Sequence, residues 1–220
     1  MNVIAIDGSS SAGKGTLALK LAENLDYAYL DTGALYRGVG FELLEQGLSP
    51  EDENAALKVA ESLSIERMLS LQDDSRIRNE VCGKAASLVS RIPSVRKALF
   101  EFQRRFALNP VKKDKTPAKG AVLDGRDIGT VICPEAPVKI FLTANSEIRA
   151  KRRYKELQLK GLCVIYEDVL KDIIARDKRD AERATAPLKP ADDALVIDTS
   201  FMTADDVYAQ VIRYIEGRVN

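Results

Sequence analysis

Gly8-Ser9-Ser10-Ser11-Ala12-Gly13-Lys14-Gly15-Thr16 is the stretch from which the fold is read. It carries the GxxxxGK spacing of a phosphate loop. In front of it, Val3-Ile4-Ala5-Ile6 is a short apolar run stopped by Asp7-Gly8, the pattern of a fully buried strand. Behind it, Leu17, Leu21, Ala22 and Leu25 fall on one face of an amphipathic helix over residues 14–25. This context matters, because the same letters without it make only a glycine-rich turn. Small residues let backbone N–H groups curl around phosphate oxygens. The helix N-terminus adds the positive end of its dipole, and Lys14 brings a full charge to the β/γ oxygens. Such a loop usually has Ser or Thr directly after the lysine as a Mg²⁺ ligand. Here Gly15 holds that place and Thr16 follows. No direct metal ligand is assigned, with Thr16 the candidate; Mg²⁺ is expected to rest on nucleotide phosphates and water.

Outward from the loop, short apolar runs alternate with helical patterns. Strands are expected at 27–30, 121–123, 138–142 and 195–197. Helices are expected at 34–46 (ended by Gly47), from an N-cap at Ser49 with Pro50 in its first turn to about Leu63, at about 146–160, 166–182 and 203–218. Residues 65–80 give no clear pattern beyond a turn at Gln72-Asp73-Asp74-Ser75. Residues 81–107 hold two helical patterns broken at Pro93. Residues 109–120, with two prolines and four lysines, read as a mobile surface loop. Alternating strands and helices imply an α/β fold, a parallel sheet with helices on both faces.

Composition narrows the function classes. The 220 residues carry 33 basic and 33 acidic side chains. That balance argues against a general nucleic-acid or membrane binder, though not against a local basic cleft. The apolar runs are too short to span a bilayer, and the N-terminus lacks the basic and apolar regions of a signal peptide. The chain has no histidine, which removes Ser-His-Asp and Cys-His nucleophile systems and any histidine base. Cys82, Cys133 and Cys163 are odd in number and far apart, so neither a zinc site nor a disulfide framework is suggested.

Arginines beside glycine and small polar residues are the second signal. They occur in Asp31-Thr32-Gly33-Ala34-Leu35-Tyr36-Arg37, in Asp124-Gly125-Arg126-Asp127 and from Arg176 to Arg183. Arginine suits bidentate contact with phosphate, so a second anionic substrate is the economical reading. The alternative for 176–183 is a set of surface ion pairs at i,i+3 and i,i+4. Asp124-Gly125-Arg126-Asp127 is the stronger case, because it ends a buried strand where open α/β sheets place ligands. No NKxD guanine-reading motif is present, which weakens a GTPase reading.

Six blocks together resemble bacterial cytidylate (CMP) kinases, members of the P-loop nucleoside monophosphate kinases. They are IDGSSSAGKGT (6–16), YLDTGALYR (29–37), KAASLVSRIPSVRKAL (84–99), LDGRDIGT (123–130), APVKIFLTANSEIRAKRR (136–153) and RDKRDAERATAPLKPADDALVIDTS (176–200). The resemblance implies a single P-loop kinase domain over 1–220. Its core would be 1–40 and 119–220, with a monophosphate-binding insert at about 41–118 and a mobile lid at about 145–165. It implies a cytoplasmic, monomeric enzyme that uses ATP and Mg²⁺ to convert CMP or dCMP to the diphosphate. Residues 65–80 look short for the strand-rich insert common in the family, and the 109–119 loop looks long.

By the same resemblance, Gly8, Ser9, Ser10, Ser11, Ala12, Gly13, Lys14, Gly15 and Thr16 hold ATP. Thr32, Arg37, Asp124, Arg126 and Arg183 belong to the CMP site. Ser87, Arg96 and Asp127 read the cytosine edge, and Arg176 and Asp180 contact the sugar. Lys14, Arg126, Arg183 and the lid arginines Arg152 and Arg153 serve the transferring phosphoryl group. On the residues alone, the 145–161 segment also reads as an exposed charged helix. Two rivals are a kinase for another anionic acceptor, such as UMP, AMP or shikimate, and a P-loop nucleotide switch without acceptor chemistry.

Overall fold

A computed structural model describes residues 2–183 and 186–216. In chain order the elements are β1 (Val3–Gly8), α1 (Lys14–Leu25), β2 (Ala28–Asp31), α2 (Thr32–Glu45), α3 (Glu53–Ser62), α4 (Ile65–Asp73), a 3-10 turn (Ser75–Arg78), α5 (Glu80–Val89) and α6 (Pro93–Leu108). Then come β3 (Ala121–Asp124), a π-helical turn (Ile128–Ile132), β4 (Val138–Thr143), α7 (Ser146–Leu159), α8 (Tyr166–Ala181), β5 (Leu195–Asp198) and α9 (Ala204–Glu216). The strands form one sheet in the order β2-β3-β1-β4-β5. β4 runs parallel to both β1 and β5, with Ile6 opposite Ile140 and Leu142 opposite Ile197. Every residue of β1 and β3 is buried. A strand buried at consecutive positions is covered on both faces, as the unbroken apolar runs required.

The chain divides into two compact units, residues 1–25 with 122–220 and residues 26–121. In the first, α1 packs on α9 and α7 on α8. Leu21, Leu123 and Leu142 are fully enclosed, each side chain contributing about 1.5–3 kcal/mol by leaving water. The α7–α8 hairpin has its own apolar cluster of Ala150, Val169 and Ile173, flanked by Tyr154, Leu157 and Tyr166. In the second unit α2 packs against α3, α4 and α5, and α3 against α6. Gly40 permits the close approach of α2 and α5, since a Cβ there would stand 2.8 Å from Ala85 Cβ.

Several sequence expectations are adjusted. The helix expected to be capped by Ser49 is instead capped by Asp52, whose carboxylate accepts from Ala55 N; the Ser49 hydroxyl accepts from Glu51 N. Residues 65–80, unclear from the sequence, form α4 and the 3-10 turn. Ser64 caps α4, and the chain breaks at Asp74. The helix expected from residue 34 starts at Thr32, because Asp31 caps it by accepting from Ala34 N. Pro93 is the break expected there and occupies the first turn of α6. The 109–120 segment folds back on itself through an antiparallel bridge between Val111 and Pro117, and Lys112 and Lys113 pair with Asp26 and Asp73. Of the helix expected at 203–218, residues 217 and 218 lie outside the described residues. Among the described residues no helix is long and apolar enough to cross a membrane.

Candidate active site

β1 delivers the phosphate loop. Gly8 has φ +141°, and a Cβ there would lie 1.9 Å from the Leu142 carbonyl oxygen of the neighbouring strand. Only glycine lets the loop leave the sheet at that point. The loop's carbonyls are engaged by protein donors. Lys14 Nζ donates to Ser9 O at 2.9 Å, Arg149 Nη1 to Ser10 O at 3.3 Å and Thr199 Oγ1 to Ala12 O at 3.1 Å. Their negative ends are thereby held by the protein, and the loop's geometry favours an anion.

β3, beside β1, delivers the second segment: Gly125 N donates to Ile6 O at 2.9 Å. Arg126 leaves this turn and donates from Nε to Asp180 Oδ2 at 3.0 Å and from Nη1 to Gly125 O at 2.9 Å. Arg183 Nη2 stands 3.9 Å from the other Asp180 oxygen. Burial alone would raise the Asp180 pKa, but the charges of Arg126, Arg176 and Arg183 outweigh it and hold the carboxyl below its ordinary value. The Nε and Nη2 atoms of Arg183 are buried and find no hydrogen-bond partner among the described residues, and neither does Ser10 Oγ. Unsatisfied buried donors are rare and costly.

Lys14 shows the same bias. Its pKa is pushed down to about 7, first by burial and then by the charge of Arg126, with Arg176 adding and Asp124 and Asp7 opposing. The first unit therefore gathers one ammonium and several guanidiniums around a loop built for phosphate. Asp7 and Asp127 are also buried here, and Asp7 accepts from Ile128 N and Gly129 N at 2.8 Å each.

On the far side of the loop lies a cavity of about 220 Å³, lined by Ala12, Thr16, Leu17, Arg152, Met202 and Val207 among others. Arg152 Nη1 donates to Thr199 Oγ1 at 3.0 Å, which ties it to the residue that holds Ala12 O. Arg153 pairs instead within its own helix, with Glu156 at 2.8 Å.

The second unit holds Thr32, Arg37, Ser87 and Arg96. Thr32 is the buried first residue of α2. Arg37 Nη1 donates to Ile77 O at 3.1 Å and Asn79 O at 3.3 Å, and Gly83 leaves room for it, since a Cβ there would be 3.3 Å from that nitrogen. Arg96 stacks over Tyr36 at 5.9 Å, and Ser87 lies on α5. Asp31 pairs with Arg78 at 2.8 Å.

Sequence reasoning missed Asp7, Arg78, Arg149, Asp177 and Thr199. Arg149 is almost wholly buried, donates to Ala144 O at 2.7 Å and is paired with Asp177. Its only sequence signal is the i,i+3 spacing with Arg152. Asp7 is visible in the sequence only as the residue that stops the first strand.

The cytidylate kinase family model matches residues 4–217. A cytidylate kinase of Paramagnetospirillum magneticum is 52% identical over 216 residues, covering 98% of this chain and 98% of that one. A cytidylate kinase of Vibrio cholerae is 44% identical over 227 residues, covering 99% and 97%. A crystal structure of an uncharacterized protein from Eubacterium ventriosum shares the fold at TM-score 0.52 and 17% identity, covering 99% of each chain. A family model that matches residues 4–217, with relatives 52% and 44% identical over nearly the whole chain, places this protein in the cytidylate kinase family.

Proposed function

We propose that the protein transfers the γ-phosphoryl group of ATP to CMP or dCMP, giving ADP and the nucleoside diphosphate. The observation that carries this is the cluster of cations beside the phosphate loop, where Arg126 and Arg176 act on Lys14 and the same two guanidiniums with Arg183 act on Asp180. Family membership supports the choice of acceptor.

In this reading residues 8–16 bind the ATP phosphates, and the cavity bordered by Leu17 and Met202 takes the rest of the donor. Arg126 and Arg183 neutralise charge on the acceptor phosphate, Asp124 lies in the CMP site, Asp127 reads the cytosine edge, and Arg176 and Asp180 contact the sugar. Thr32, Arg37, Ser87 and Arg96 of the second unit serve CMP. Arg152 and Arg153 act on the transferring group when the lid at about 145–165 closes and excludes water. The attacking oxygen belongs to an ionised phosphate, so no general base is needed, and the chain has no histidine to supply one.

The described residues contain no group of three or more His, Cys, Asp or Glu able to hold a metal. Mg²⁺ keeps several waters and is carried by substrate phosphates with one or two protein oxygens; Thr16, exposed in the first turn of α1, is the candidate. Bound there, Mg²⁺ would neutralise β- and γ-phosphate charge. We place the enzyme as a monomer in the cytoplasm, where its nucleotides are made and used.

The test is a coupled ADP-release assay with ATP and Mg²⁺ across CMP, dCMP, UMP, AMP and shikimate. Turnover is expected with CMP and dCMP. ATP hydrolysis that ignores CMP would overturn the reading in favour of a nucleotide switch.

A further inference from the structure

Asp7 has no part in the reading above, yet its placement is specific. It is the last residue but one of β1 and directly precedes Gly8, the first residue of the phosphate loop, with its backbone paired in register to Phe141 of β4. Its side chain crosses to the turn that follows β3. Oδ1 accepts from Ile128 N and Oδ2 from Gly129 N, both at 2.8 Å. These two amides open the π-helical turn immediately after Arg126 and Asp127. Gly129 is closely surrounded: a Cβ there would crowd Lys139 Cδ at 3.2 Å and lie in ordinary contact with Asp7 Oδ2 at 3.4 Å. Two oxygens bound to two successive amides restrain both the distance and the rotation of the turn.

We propose that Asp7 is a positioning residue whose carboxylate sets the register between the phosphate loop and the turn that presents Arg126 and Asp127. The kinetic consequences rest on the kinase reading; the structural ones do not. A carboxylate is suited to the task, since charge-assisted bonds to backbone N–H groups are about twice as strong as neutral ones. The charged groups around it are Lys14 from α1, Asp127 from the turn and Lys139 from β4, the last held by Asp193 at 2.9 Å. Burial pushes the Asp7 pKa up to about 6, against the pull of the two amides and of Lys14 and with the help of Asp127. Protonation removes the charge from both bonds, so the clamp loosens as pH falls through that value.

Two measurements test this. The first follows the backbone amide resonances of Ile128 and Gly129 in the wild-type protein from pH 4.5 to 7.5. They are expected to titrate together with a midpoint near 6, and amides that stay fixed across the range would overturn the proposal whatever the protein catalyses. The second is Asp7→Asn, which keeps the side-chain volume but turns an NH₂ toward a backbone N–H. It is expected to lower kcat with CMP by about ten- to a hundred-fold, the scale of a small misplacement of reacting groups, to leave the KM for ATP near that of the wild type, and to abolish the joint titration of the Ile128 and Gly129 amides. A variant with wild-type kcat whose two amides still titrate near pH 6 would refute the role. If the variant does not fold, the wild-type amide titration decides. Wild-type protein inactive on CMP would sink the kinase reading while leaving the amide result to stand or fall by itself.

Discussion

Arg126 Nε sits 3.0 Å from Asp180 Oδ2, joining the turn after β3 to the last turn of α8. The carboxylate lies among Arg126, Arg176 and Arg183, and its depressed pKa records the net attraction. Replacing it as Asp180→Asn leaves these guanidiniums less balanced. The ligand-free protein should lose about 1.5–3 kcal/mol, the scale of a hydrogen bond to a charged group. A depressed carboxylate pKa contributes stability above the unfolded value of ~3.9 and loses it as pH falls through the folded value. The gap between variant and wild type in denaturant melts should therefore be constant from pH 5 to 7 and shrink below about pH 4.

Gly8 and Gly13 both have positive φ, at 141° and 99°, but differ in surroundings. A Cβ at Gly8 would strike the Leu142 carbonyl, whereas nothing lies within 4 Å of one at Gly13. Gly13→Ala should cost only backbone strain of about 1–3 kcal/mol. Gly8→Ala adds a collision with β4 backbone that cannot move without breaking the sheet, so its melting temperature should fall further. Equal losses in thermal melts would contradict the geometry.

The phosphate loop was legible because its evidence is local: an apolar run, a fixed spacing and an amphipathic helix within 25 residues. The end of β3 was legible for the same reason, as Asp124-Gly125-Arg126-Asp127 follows a buried run. The cap of α3 was misplaced because Ser49 and Asp52 are both good capping residues three positions apart, and the chain uses the second. α4 was missed although Ser64 caps it, since its nine residues are too few to establish a period. Asp7, Arg149 and Thr199 were out of reach for a different reason. Their bonds to Ile128, Ser10 and Ala12 span 121, 139 and 187 positions, and no local pattern encodes a partner so distant.

Asp127 is buried at the start of the π-helical turn. On the function proposed above, this carboxylate accepts from the 4-amino group of cytosine and repels the 4-oxygen of uracil. Asp127→Ala should shrink the CMP-over-UMP ratio of kcat/KM by about 10–100-fold, from the 1.5–3 kcal/mol of a charge-assisted bond, while ATP affinity stays near normal. Kinetics with both acceptors decide it: an unchanged ratio would refute the role.

Lys14 offers a test in the first unit alone. Its ammonium is disfavoured by burial and by Arg126 and Arg176, so that it titrates near pH 7 in the ligand-free protein. A lowered lysine pKa means that the unfolded chain binds more protons between about 7 and 10.5, so this group makes stability rise with pH across that window. A bound triphosphate reverses the local field and favours the charged form. ATP binding at pH 8 should therefore take up as much as about one proton per site, and at pH 6 almost none. Calorimetry in buffers of different ionisation enthalpy measures this directly. Lys14→Met should bind more weakly and show no uptake; a wild-type binding enthalpy independent of buffer at pH 8 would mean that the ammonium is already charged before the nucleotide arrives.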